Sequence, residues 1–148
     1  MISDDVAAYL IAQGVGTSAN IFAGQIPEAI DSGIGVFEYQ GQAPDKIVNL
    51  EFPNFEVQCR ALDKFTAYNL AYDAYLVLNR QTDIVMNGVN YKRLEALSTP
   101  LFYGKDEKQR YQYLTNYTTI MVGGTFVAIA APLCGDVTSI CGNIIVGG

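Results

Sequence analysis

The sequence has 148 residues, which fits one domain, and half of them are apolar, so we expect a folded core. Fifteen acidic residues and nine basic ones give a net charge of −6. This charge disfavours nucleic-acid binding, because phosphate binding needs clustered Lys and Arg. Histidine is absent, so the commonest general base, the commonest zinc ligand and the Ser-His and Cys-His nucleophile pairs are excluded.

The first predicted elements are a helix and two short strands. Apolar residues at helical spacing predict a helix over about residues 4–13, with Ser3 as its N-cap and Gly14 as its end. Residues 21–26 are apolar and stop at a proline, which predicts a short strand. A second strand is predicted over residues 33–41, between two glycines.

Residues 55–61 alternate strictly and predict a half-buried strand. The residues of its apolar face are Phe55, Val57, Cys59 and Ala61. The residues of its polar face are Glu56, Gln58 and Arg60. We expect the polar face to contact water.

The next segment predicts a helix over about residues 63–79. Its aromatic residues recur at helical spacing: Phe65, Tyr68, Tyr72 and Tyr75. An aromatic stripe at this spacing is usually part of a core. We therefore expect the stripe to pack on the apolar face of strand 55–61.

The remaining elements complete an α+β fold, a mostly antiparallel sheet with two main helices packed on one side. Asn87-Gly88 predicts a tight hairpin, because both central positions of such a turn need positive φ. Residues 99–107 are expected to form a loop. Residues 110–121 predict a strand in which Tyr111, Tyr113, Thr115, Tyr117 and Thr119 share one face.

The composition changes at residues 122–148, which hold six glycines and one charge, Asp136. Two apolar runs separated by a turn predict a β-hairpin that extends the domain of residues 1–121. It either folds back on its own sheet or is buried against another subunit, since exposed it would be prone to aggregation. The candidate interface residues are Phe126, Val127, Ile129, Leu133, Ile140, Ile144 and Ile145.

No candidate catalytic, metal or cofactor site is found in the sequence. The carboxylates fit helix caps and charged loops, and the glycines lack the strand-turn-helix context of a phosphate loop. Cys59, Cys134 and Cys141 are too few for a disulfide scaffold or a four-cysteine zinc site, although a Cys134–Cys141 pair remains an alternative. The acidic N-terminal sequence carries no visible export signal, and no apolar run is long enough for a membrane span, so we expect a soluble cytoplasmic protein.

Three blocks together resemble the tail terminator (minor capsid) proteins of long-tailed bacteriophages. They are a D-S-G turn that enters a strand within residues 31–49, the strand F-x-V-x-x-R and the Ala/Tyr-rich helix within 50–79, and the strand rich in Tyr, Thr and Asn within 109–121. Their order and spacing carry the resemblance, which covers about residues 4–121. The segment 122–148 matches no feature of the family.

The resemblance implies a structural virion protein and no enzyme. Such proteins form a hexameric ring that caps the tail tube, stops its polymerisation and docks onto the head connector, while DNA passes through. Strands 55–61 and 110–120 are then central to the sheet. The residues implied to line the lumen are Glu56, Gln58, Arg60, Gln112, Asn116 and Thr118.

Other functions remain open at this point. A different neck or head-completion protein, or a tail tube subunit, is the first alternative. A small-ligand binding module would need a pocket with convergent polar groups, for which the sequence offers no candidate. A host-side assembly chaperone would be absent from finished particles.

Overall fold

The computed structural model describes residues 1–45 and 47–123, which form two helices and seven strands. The elements are α1 (Ile2–Ala12), β1 (Ile21–Ala23), β2 (Gly33–Gln42), β3 (Leu50–Ala61), α2 (Lys64–Leu78), β4 (Gln81–Met86), β5 (Val89–Ala96), β6 (Leu101–Lys105) and β7 (Tyr111–Val122). The predicted C-terminal hairpin lies outside the described residues. No helix within the described ranges has the length and apolarity needed to cross a membrane.

The strands form one sheet that curls into a half-barrel. The strand order is β1-β2-β3-β7-β5-β4, and β6 also pairs with β7. Every pair is antiparallel apart from β1–β2. The long strands β3 and β7 lie at the centre, as expected, and both helices contribute to one hydrophobic core. The α+β class is therefore confirmed.

Helix α1 begins earlier than predicted, and its expected N-cap is wrong. Met1 is the N-cap, while Ser3 is buried inside the first turn. The backbone N–H and the hydroxyl of Ser3 both donate to the carboxylate of Glu38, at 3.1 and 2.8 Å. Ser3 therefore joins α1 to β2.

The predicted faces of β3 and β7 are confirmed on the core side. All four apolar residues of β3 from Phe55 to Ala61 are at most 1% exposed. The rings of Phe55 and Tyr117 stack at 4.9 Å between centroids. Strand β3 begins at Leu50, earlier than the predicted start at residue 55, and it includes Pro53. A proline lacks only the N–H donor of a strand residue, and the carbonyl of Pro53 accepts a hydrogen bond from the Thr119 hydroxyl at 2.6 Å.

Helix α2 forms where predicted, with Asp63 as its N-cap, and the carboxylate of Asp63 accepts from the N–H of Thr66 at 3.0 Å. The expected burial of its aromatic stripe is wrong. Phe65 is 72% exposed, and Tyr68 and Tyr72 are each 38% exposed. The buried residues are Ala67, Ala71, Ala74 and Leu78. Small alanine side chains let the helix backbone lie close to the sheet, so the large rings are displaced to its flank.

The predicted Asn-Gly hairpin is confirmed. Met86 pairs with Val89, and Asn87 and Gly88 have φ values of 52° and 81°. The predicted loop over residues 99–107 is wrong, because β6 forms within it and pairs with the first half of β7. A register shift near Gly104, whose φ is 115°, lets this short strand follow its partner.

Candidate functional site

The polar faces of β3 and β7 bring the predicted lumen residues together. In the register of the two strands, Glu56 lies opposite Asn116, and Arg60 lies opposite Gln112. The amide of Gln58 donates to the carboxylate of Glu56 at 3.4 Å. Apart from Arg60, the six residues are partly exposed. The result is a polar surface, interrupted by the apolar Leu114 opposite Gln58, with one carboxylate and no exposed cation among the predicted residues.

Arg60 departs from this pattern, and its expected exposure is wrong. The side chain is buried, with 8% of the residue exposed. Its guanidinium donates to the backbone carbonyls of Pro27 and Ile30, at 2.7 and 2.5 Å. Burial, followed by the charge of Arg110, lowers the pKa of this guanidinium. Arg60 therefore binds the segment that leads into β2.

Arg110 is the most buried charge at this end of the sheet, with 1% exposure. Its guanidinium donates to the carboxylates of Asp106, Glu28 and Asp31, at 2.7, 2.9 and 3.4 Å. It also donates to the backbone carbonyls of Glu28 and Ile30. Burial lowers the pKa of Arg110, but the hydrogen bond and charge of Asp106 outweigh it, so the net shift is upward.

The pKa values of two carboxylates beside Arg110, those of Glu28 and Asp106, are shifted downward. The hydrogen bond from Lys108 is the main cause that lowers the pKa of Glu28, and the charge of Arg110 adds to it. Burial raises the pKa of Asp106, but its hydrogen bonds and ion pair with Arg110 lower it by more. The charged forms of these acids are therefore favoured in the folded protein.

This arginine cluster, defined as Arg60 and Arg110 with the segment 27–31, joins the motifs that the sequence showed separately. The D-S-G turn begins at Asp31, and the two arginines belong to the F-x-V-x-x-R strand and to the start of the closing strand. The sequence alone did not reveal this role of the two arginines. The available signal was a pair of arginines beside aromatic strands, with acids nearby in turns, but their distance along the chain hid the contact.

The chain matches a family model described as "Bacteriophage tail terminator protein" over residues 9–122. This range runs from α1 to the end of β7. The chain belongs to this family. The family consists of structural virion proteins and not of enzymes, so the chain is a structural protein of a phage tail and its location is the virion.

The fold of this tail terminator family member also occurs in a solved virion structure. The structure is titled "Virion of native gene transfer agent (GTA) particle". The TM-score is 0.58 at 15% sequence identity, and the match covers 83% of this chain and 89% of the other. No curated protein sequence matches the chain.

Metal-binding side chains and the cysteine thiol can be assessed in the part of the tail terminator chain that the structure describes. Residues 1–45 and 47–123 hold no group of three side chains arranged to bind a metal ion. The Cys59 thiol is fully buried, and burial, with the charge of Asp73, raises its pKa strongly, which disfavours the reactive thiolate. The candidate interface residues from Phe126 to Ile145 lie outside the described residues.

Proposed function

We propose that the protein forms a hexameric ring that caps the phage tail tube and stops its polymerisation. The same ring docks the tube onto the head connector while letting DNA pass. The observation that carries this proposal is the family match over residues 9–122, because it spans the last turn of α1, the whole of α2 and all seven strands. The neighbour of similar fold comes from a virion particle, which supports a role in particle assembly.

The polar surface of β3 and β7 is the proposed lining of the lumen. Its partly exposed residues are Glu56, Gln58, Gln112, Asn116 and Thr118. Arg60, expected among them, is engaged by backbone carbonyls of the 27–31 segment. A lining of amides, a hydroxyl and one carboxylate offers no positive charge to DNA phosphates, so DNA passes without being held.

The ring proposal is tested with the purified protein alone and mixed with its tail tube protein, by mass photometry and negative-stain imaging. Closed rings of about six copies on tube ends, as in a closed cyclic assembly, are the expected result. Long tubes formed by this protein alone would identify a tube subunit instead. We expect the ring to assemble with the tube and the connector in the host cytoplasm and to remain in the virion. Absence of the protein from finished virions would contradict both the capping role and the tube role.

The lumen proposal predicts that Glu56→Lys/Gln58→Lys slows DNA ejection. Lysines on this face would attract phosphates, and the slowing is expected to weaken as salt is raised. The measurement is the ejection rate of assembled particles at several salt concentrations. The control Gln13→Lys/Glu107→Lys adds the same charge outside this face and is expected to leave ejection unchanged. Unchanged ejection in the Glu56→Lys/Gln58→Lys particles would remove the lumen assignment.

Residues after β7 are the proposed second contact between subunits or with a partner protein, through the apolar residues Phe126, Val127, Ile129, Leu133, Ile140, Ile144 and Ile145. Deleting residues 124–148 keeps Val122, which pairs with Leu50, and Gly123, which exchanges hydrogen bonds with Asn49. We expect the shortened chain to fold, with a cooperative thermal transition, but to fail in virion assembly. An unfolded product would show instead that this segment belongs to the core of its own domain.

A further inference from the structure

Six aromatic rings on three elements form one continuous row. The row consists of Tyr75, Tyr72 and Tyr68 on α2, then Tyr113 on β7, Phe102 on β6 and Tyr111 on β7. Successive ring centroids lie 5.4 to 6.3 Å apart. Phe102 is 45% exposed, and two of the tyrosines are each 38% exposed. Tyr113 is buried, with 8% exposure, and the exposed rings of Tyr68, Tyr72 and Phe102 around it form an apolar patch of the kind found at protein contact surfaces.

The aromatic row carries positive charge at its β6 end. The ammonium of Lys64 lies 4.7 Å from the centroid of the Phe102 ring, and that of Lys105 lies 4.7 Å from the Tyr111 ring. Neither lysine forms an ion pair within residues 1–45 and 47–123, whereas Lys92 and Lys108 pair with acids there. In a chain of net charge −6, this is a local basic and aromatic surface. Its complement is an apolar surface with acids.

A cleft at the other end of β7 has that complementary composition. The acidic cleft, as we call it, has a volume of about 560 Å³ and is lined on its apolar side by Ile2, Val89, Met121 and Val122. Glu38 and Glu51 lie in the same lining. Neither glutamate forms an ion pair with a described residue.

The two surfaces cannot meet within one copy of the described fold. Tyr113 and Met121 lie on the same face of β7, because they are eight residues apart in an unbroken antiparallel register with β3. At about 3.3 Å per residue, this places them about 26 Å apart along a strand held in the sheet. Each copy therefore presents one basic aromatic surface and one acidic apolar surface at opposite ends.

We propose that the aromatic row of one copy docks into the acidic cleft of the next copy. This is a heterologous, head-to-tail contact, which closes into a ring when the rotation between copies allows it. The inference rests on the proposed ring and names the two surfaces that join its subunits. The aromatic rings supply buried apolar area, and Lys64 and Lys105 face Glu38 and Glu51 across the contact, which sets its direction.

The test uses two variants of the full chain that each damage one surface. The row variant is Tyr72→Ser/Phe102→Ser, and the cleft variant is Glu51→Lys/Val122→Lys. Circular dichroism and thermal unfolding first establish that both variants fold. Mass photometry then measures assembly, without and with tail tubes. Each variant alone is expected to lose rings at least about tenfold, since one of its two surfaces no longer binds.

Mixing the two variants distinguishes a contact between the row and the cleft from contacts that use other surfaces. The row variant retains an intact cleft, and the cleft variant retains an intact row. The mixture is therefore expected to form dimers with one copy of each variant, visible by native mass spectrometry, and no ring. The controls are Tyr103→Ser, an aromatic residue of β6 outside the row that is 62% exposed, and Gln13→Lys, which adds a positive charge at the exposed end of α1. Both controls are expected to keep wild-type rings.

Three outcomes with the variants would overturn the proposed contact. The first is a folded cleft variant that keeps its rings, and the second is a mixture of variants that stays monomeric. The third is a row variant that forms rings but no longer caps tubes, which would assign the aromatic row to the tube protein. A wild-type protein without rings, alone and on tubes, overturns the contact as well. Wild-type rings that leave tube growth unchecked contradict the capping function and leave the contact standing.

Discussion

The arginine cluster and the aromatic row are neighbours that differ in which side chains are buried: a charge is buried in the first, and apolar rings are exposed in the second. Arg110 has 1% exposure, although it is charged, and Tyr111, which follows it, belongs to a row whose rings reach 45% exposure. The buried charge has partners within its own chain, namely three carboxylates and two backbone carbonyls. The exposed rings of Tyr68, Tyr72 and Phe102 pack on other rings of the row, and the row joins the core through the buried Tyr113.

This difference separates the residues that stabilise the subunit from those that join it to other proteins. A buried arginine with satisfied hydrogen bonds holds the segment 27–31 against β3 and β7, so its removal acts on folding. Exposed rings add little to the stability of the monomer and gain burial only in a complex. Substitutions in the two regions are therefore expected to affect different measurements.

The largest effect on stability is expected for Arg110→Ala. The substitution removes the guanidinium that binds Asp106, Glu28 and the Ile30 carbonyl, and it leaves a cavity at the start of β7. The free energy of unfolding is expected to fall by about 3 kcal/mol. Urea denaturation followed by circular dichroism measures it.

The matched control is Lys108→Ala. Lys108 pairs with the same Glu28 at 3.3 Å, but its side chain is 55% exposed. An exposed ion pair contributes little, so the expected change is within about 0.5 kcal/mol. Equal losses in the two variants would contradict the assignment of stability to the buried arginine.

A smaller effect is expected from acid. The pKa values of Asp106 and Glu28 lie below their ordinary values of 3.8 and 4.5 in the folded protein. Their ion pairs therefore stabilise fully above those ordinary values and are lost as the pH falls through the lowered ones. The thermal midpoint of the wild type should fall between about pH 5 and pH 2. The curve for Arg110→Ala should be flatter over that window, and parallel curves would count against the assignment.

The smallest effect on stability is expected from the aromatic row. In the monomer, Tyr72→Ser removes a ring that is 38% exposed and that stacks only on neighbouring tyrosines. The free energy of unfolding is expected to change by about 1 kcal/mol or less. Urea denaturation measures it, at a protein concentration low enough for the subunits to be monomeric. A loss as large as that of Arg110→Ala would place the row in the core and not at a contact.

Local patterns in the sequence were sufficient for much of the fold. The alternation in residues 55–61 identified the core face of β3, and Asn87-Gly88 identified the hairpin, because side-chain period and positive φ act over a few residues. The resemblance built on these blocks was confirmed by the family match. The resemblance also correctly predicted that β3 and β7 lie at the centre of the sheet, where they pair with each other.

Helical spacing alone was not sufficient to orient α2. The sequence carries two stripes along this helix, one of aromatic residues and one of alanines ending in Leu78, and both have the period of a buried face. The choice between them depends on the distance between helix and sheet, which the packed structure sets. The close approach at Ala67, Ala71 and Ala74 excludes the rings from the interior and leaves them on the surface.

The sequence by itself therefore determined most element types, the core faces of the long strands and the family of this protein. Only the tertiary structure decided which charges are buried and which apolar groups are exposed. Arg60 and Arg110 meet the segment 27–31 across more than 25 residues of intervening chain, and β6 forms because β7 offers it an open edge. Such contacts depend on where distant segments lie in space, and the local periodicity of the sequence does not encode that position.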